Sequence, residues 1–132
     1  MATTPPAAKP PRPVYLDLTS IRQPLPAIVS ILHRASGALL FLVGIPLSLW
    51  ALQTSLGSAD AYASFAATLS HPLAKLVAIG FAWAYLHHLL AGVRHLLLDL
   101  HVGIDLGAAR RSSAIVVVLA VVLTLFIAIR LW

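Results

Sequence analysis

Three long apolar runs divide the chain. They extend from about Ala27 to Gln53, from about Leu73 to Leu100 and from about Ser113 to Leu131. A helix crossing the hydrocarbon core needs about 20 residues at 1.5 Å each. All three runs are long enough, so the pattern predicts three spanning helices. Residues 27–132 then form one membrane domain. Between the runs, "GSADAYASFAATLSHP" reads as a loop with room for a short amphipathic turn, and "HVGIDLGAARRSS" reads as a second loop. Pro24 and Pro26 mark entry into the first span, and Gly44 with Pro46 predicts a kink within it. Residues 1–26, "MATTPPAAKPPRPVYLDLTSIRQPLP", are polar and proline-rich. They read as an irregular cytoplasmic tail, because proline blocks regular pairing. No charged segment followed by an apolar core marks a secretory signal there.

Composition agrees with the pattern. The chain has 132 residues, of which 60% are hydrophobic and 10% charged. Soluble domains average about 45–50% apolar and about 25% charged residues. The fold class is therefore an all-α membrane protein. Without cysteine there is no disulfide, thiolate-held metal or cysteine nucleophile. The net charge of +5 comes from cations scattered around the apolar runs. They read as charges flanking membrane spans, not as a nucleic-acid surface. Lys9, Arg12 and Arg22 precede the first span, and Arg110 and Arg111 lie in the second loop. The first loop offers Lys75 near its exit, and the C-terminal side offers Arg130. The bias puts the tail and second loop on the cytoplasmic or matrix side. Trp50, Trp83 and Trp132 are candidate interfacial anchors.

The second run carries ionisable residues in "HHLLAGVRHLLLD", residues 87–99. On a helix His88, Gly92, His95 and Asp99 share one stripe, while His87 and Arg94 point elsewhere. His88 lies about 18 Å from Leu100 along the axis, near the middle of the membrane or toward its cytoplasmic half. A polar side chain at that depth needs a partner. Haem iron is one candidate, since histidine is a common axial ligand. A hydrogen bond to a serine or carbonyl of a neighbouring helix is the other. Gly92, one turn away, leaves space for a flat macrocycle against the backbone.

The first run contains "SILHRASG", residues 30–37. Ser30 and Arg34 are four apart and share a face, with His33 beside them. Arginine keeps its charge, so Arg34 either snorkels to the interface or meets an anion or strong acceptor. A haem propionate or a quinone carbonyl gaining negative charge would satisfy it. Successive spans run antiparallel, which brings Arg34 and His88 to similar depth.

"RPVYLDLTSIRQPLPAIVSILHRAS", residues 12–36, and "HLLAGVRHLLLD", residues 88–99, together resemble the two signatures of the succinate dehydrogenase cytochrome b subunit family. This family forms the larger membrane anchor of respiratory complex two. Three spans, tail length and loop order fit as well, so the resemblance covers nearly the whole chain. It implies half of a heterodimeric haem-binding helical bundle. His88 would be an axial ligand of haem b, and a small anchor subunit would supply the second. Ser30 and Arg34 would line the ubiquinone site, with His33 and Arg34 near the haem propionates. Iron–sulfur and flavoprotein subunits would dock on the cytoplasmic face of a bacterial inner membrane. The chain departs from the pattern at His87, beside the proposed ligand. Leu98 and Leu100 replace bulkier residues, and His101 stands where glycine is common.

The expected function is thus an electron-transfer anchor binding haem b and contributing to quinone reduction, not itself the site of succinate oxidation. Ser30 would donate to a quinone carbonyl, and Arg34 would stabilise developing negative charge. A haem-free structural anchor and the anchor of a quinol–fumarate reductase are the competing readings. Arg94 and His95 read either as structural or as support for the haem edge. Asp99 reads as a partner for Arg94 or for another subunit, and Asp17 and Arg22 as solvated or in contact with soluble subunits. His71 and His101 belong to loops, and Lys75 snorkels. The third run contains no group able to hold a ligand and reads as lipid-facing scaffold.

Overall fold

The computed structural model of the chain describes residues 20–132. Lys9, Arg12 and Asp17 lie outside the described residues. The elements of the described part are all helical: α1 (Leu25–Leu39), a π-helical turn (Leu40–Gly44), α2 (Ile45–Gly57), α3 (Ala59–Ser70), α4 (Pro72–Asp99) and α5 (Leu106–Leu131). Three helical units are long and apolar enough to cross a membrane: Leu25–Gly57, Pro72–Asp99 and Leu106–Leu131. In hydrocarbon every backbone group must be paired within its own segment, which a continuous helix does. The chain is therefore a multi-pass membrane protein.

Local chemistry sets the helix ends. Pro26 sits in the first turn of α1 and Pro72 in that of α4, where a missing N–H costs nothing. The His71 ring accepts from the Leu73 N–H and caps α4. The Asp105 carboxylate accepts from the Ala108 N–H and starts α5. That cap explains why α5 begins at Leu106 and not near Ser113: the polar residues Arg110, Arg111 and Ser112 form its opening turns. The expected first loop is likewise mostly helix. Ser58 caps α3 by accepting from Ala61 N–H, Asp60 lies in its first turn, and alanines fill much of its length. Phe65 of α3 meets Trp50 of α2 edge to face, with centroids 5.8 Å apart.

The bend in the first span takes the form of the π-turn. Ile45 N–H bonds to the Leu40 carbonyl, five residues back. Pro46 has no N–H, and in a regular turn its ring would strike the Leu42 carbonyl. The wider turn removes that clash. Gly44 has helical φ of −64°, so its special freedom is not used.

Packing uses small residues. The buried positions are Val29 and Ser36 of α1, Ala84, His87, Ala91 and Arg94 of α4, and Ser113, Val116, Ala120 and Thr124 of α5. Val29, Ala91 and Val116 form the shared centre. Lipid tails supply no hydrophobic drive between helices, so close backbone approach supplies the contact instead. Large apolar side chains such as Phe41, Leu56 and Ile129 point outward, as a lipid-solvated surface requires.

Candidate haem-ligand site

Antiparallel packing brings α1 residues successively against α4. Val29 meets Ala91, and farther along His33 and Gly37 meet His88. The His33 and His88 rings stack with centroids 4.2 Å apart and planes 9° from parallel. His95 tilts against His33 at 5.1 Å. His88 Nδ1 lies 3.0 Å from the His33 carbonyl oxygen. A carbonyl only accepts, so Nδ1 carries the proton and donates. In the neutral tautomer with that proton, the lone pair is on Nε2. The Ser36 hydroxyl donates to the same carbonyl at 3.0 Å and lies 3.3 Å from Nδ1.

Gly37 lets the ring approach this closely. A Cβ there would sit 2.7 Å from His88 Cε1. Gly92 is less closely approached and faces a different ring. His33 is the neighbour there: its Nε2 would lie 3.4 Å from a Cβ at Gly92. His33 is drawn there because its ring stacks on His88.

On the side of α3 an apolar cavity of about 1000 Å³ adjoins His88. Its lining extends along α4 from Leu73 through Phe81 and Tyr85 to His88, with Gly44 and Trp50 opposite. His88 therefore stands between an apolar cavity and a group of imidazoles. Among the described residues no three histidine or acidic side chains gather as a metal site.

The family model for the succinate dehydrogenase/fumarate reductase transmembrane subunit matches residues 8–127. The chain belongs to this family. Relatives include the succinate dehydrogenase cytochrome b556 subunit of Paracoccus denitrificans, 37% identical over 112 residues, covering 85% of each chain. The subunit of the same name from Coxiella burnetii is 36% identical over 122 residues, covering 92% of this chain and 97% of its own. That of Rickettsia prowazekii is 28% identical over 116 residues, covering 88% and 90%.

Within this family member the remaining candidates separate by helix face. Arg34 is exposed and Ser30 half-buried. They sit on the face of α1 beside the one that carries His33 and Ser36. His87 is 1% exposed and stacks on Trp83 at 5.3 Å. Its Nε2 has no hydrogen-bond partner among the described residues. Arg94, 6% exposed, turns to α5: Nε donates to Ser112 Oγ at 3.0 Å and an Nη reaches the Ala109 carbonyl at 3.5 Å. The third span is thus not only lipid-facing scaffold, since it anchors a buried cation. Asp99 is exposed and does not pair with Arg94. Lys75 donates to the Trp132 carbonyl at 3.4 Å and lies over its ring.

Ser36, Gly37 and Ser112 are the functional or supporting residues that sequence reasoning passed over. Ser36 and Gly37 follow His33 by three and four residues, a spacing that puts all three on one helix face. That signal was present within "HRASG". The partner that gives it meaning is 52 residues away.

Proposed function

We propose that this chain is the cytochrome b membrane anchor of a succinate:quinone oxidoreductase, with His88 as an axial ligand to haem b. The observation that carries the reading is the Nδ1–H bond from His88 to the His33 carbonyl, which in the neutral tautomer leaves Nε2 as the nitrogen with the lone pair. Metal-bound histidines commonly donate their other nitrogen in this way. The cavity beside His88 offers apolar surface; outside its lining His33 stacks on His88 and His95 tilts against His33, and Arg34, next to His33 in sequence, carries a positive charge. That polarity suits a ligand with an apolar body and carboxylate edge. Haem b, when bound, supplies a one-electron redox centre. His33 and Arg34 would hold its carboxylates, and a small anchor subunit would complete the site with the second axial histidine. The relatives' shared name, cytochrome b556 subunit, supports the same assignment.

Ser30 and Arg34 would form the ubiquinone contact. Ser30 can donate a hydrogen bond to one carbonyl oxygen. Arg34 keeps its charge and can stabilise the negative charge that develops during reduction. The chain itself would not oxidise succinate; a flavoprotein and an iron–sulfur subunit would deliver the electrons. The cation bias supports an N-terminus on the cytoplasmic side of a bacterial inner membrane.

Absorption spectroscopy of the purified membrane complex tests the reading. A redox-responsive b-type band is expected. His88→Ala abolishes or alters it, and His87→Ala leaves it largely intact. The opposite pattern refutes the ligand assignment, and a complex without any such band refutes the haem.

A further inference from the structure

We propose that Ser36 is a positioning residue for the iron ligand: its hydroxyl fixes the plane of the His88 imidazole and the electron density on its ring. The inference rests on the reading of His88 as a haem ligand. Three observations carry it. Ser36 is buried, at 4% exposure, so water does not substitute for its hydroxyl. Its O–H donates to the His33 carbonyl at 3.0 Å, the same oxygen that takes the His88 Nδ1–H at 3.0 Å. With its proton committed to that oxygen, the hydroxyl turns its lone pairs outward, and Oγ is 3.3 Å from Nδ1.

The Nδ1 proton is therefore shared between two acceptors, one of which is itself loaded by the other. The arrangement does two things. It restricts rotation of the ring about its Cβ–Cγ bond, because two acceptors define a direction better than one. It also sets how strongly Nδ1–H is polarised, and hence how electron-rich Nε2 is. Partners of this kind orient metal-bound histidines and raise their basicity. Stacked His33 covers one face of the same ring, and Gly37 bounds its Cε1 edge. Ser36 thus completes the set of contacts that α1 makes with the His88 ring. A serine in mid-helix usually bonds only to its own preceding turn; this one reaches across to α4 as well.

The test uses the assembled complex purified from membranes, carrying Ser36→Ala, Ser36→Thr or His88→Ala. Threonine keeps Oγ and, in a helix, the same bond to a carbonyl of the preceding turn. Ser36→Ala is expected to keep a full complement of haem but to shift the low-spin ferric resonance and the haem midpoint potential. Ser36→Thr is expected to restore both toward the parent. A Ser36→Ala complex with parental resonance and potential overturns the proposal. So does a Ser36→Thr complex that behaves like the alanine variant, and so does failure of both variants to assemble, since each points to packing and not to the hydroxyl. Loss of assembly in alanine with recovery in threonine supports the need for the hydroxyl. His88→Ala with an unchanged haem signal sinks the haem reading itself, independently of Ser36.

Discussion

An imidazole in a membrane interior is least costly when each nitrogen has an assignment. His88 illustrates this: Nδ1 is committed to the His33 carbonyl, and Nε2 is the nitrogen left for a ligand. His87, next to it in sequence, faces the other way and is enclosed by Trp83 and the bundle centre. Residue-level logic also explains His101. It follows α4 in the left-handed conformation, with φ of 61°. Its N–H bonds to the Leu98 carbonyl, and Val102 N–H bonds to that of Leu97, both at 2.9 Å. This pair of bonds is the Schellman ending, in which glycine is favoured at the left-handed position. A side chain there is strained by roughly 1–2 kcal/mol, partly offset by the greater backbone entropy of glycine in the unfolded chain. His101→Gly is therefore expected to stabilise the protein by about 0.5–1 kcal/mol. A higher thermal midpoint of the detergent-solubilised complex is the readout, and a lowered midpoint contradicts the strain. The unusual histidine was visible in the sequence; the backbone twist that makes it costly was not.

At the scale of elements, the first span shows how one proline resets a helix. The π-turn of Leu40–Gly44 ends just before Pro46, and the extra residue in that turn rotates everything after it. The face of α2 that meets α3, including Trp50 against Phe65, depends on that rotation. Pro46→Ala restores the missing N–H and permits a regular helix. The expected result is a rotated α2 and a lost Trp50–Phe65 contact. Because the chain has no cysteine, Trp50→Cys with Phe65→Cys gives a unique pair for a short bismaleimide linker. Cross-linking should be efficient with Pro46 present and should fall several-fold in Pro46→Ala; equal yields count against the role of the π-turn. The sequence marked a bend here through Gly44 and Pro46. Its form as a wide turn follows from the clash between the proline ring and the Leu42 carbonyl. The helix α3 was missed because short alanine-rich segments carry weak periodicity, and its caps and its contact with α2 decide the matter.

For the whole molecule, the proposal separates two activities across different subunits. Succinate oxidation would belong to soluble partners and quinone reduction to this membrane face. Arg34→Ala is expected to reduce quinone reduction by roughly 100-fold, the scale of one lost charge-stabilising donor. Succinate oxidation measured with an artificial acceptor should persist at parental rates. Equal loss of both would indicate failed assembly. Arg34 suits such a surface role because it is exposed, whereas Arg94 is held inside by Ser112.

The apolar runs alone required three helices across a bilayer, because hydrocarbon offers no partner to an unpaired backbone group and only a long helix pairs its own. The cation bias and the two histidine-bearing signatures were equally legible, since both are read along a single strand of text. Which helix face looks inward was decided by packing. Small side chains on α1, α4 and α5 let the backbones close together, and that closure turned His87 toward the centre, placed His33 where Gly92 left room, and delivered Ser36 to a ring 52 residues away. Contacts of this kind depend on distances between helices. Those distances are set by every buried side chain at once, so no local run of residues encodes them.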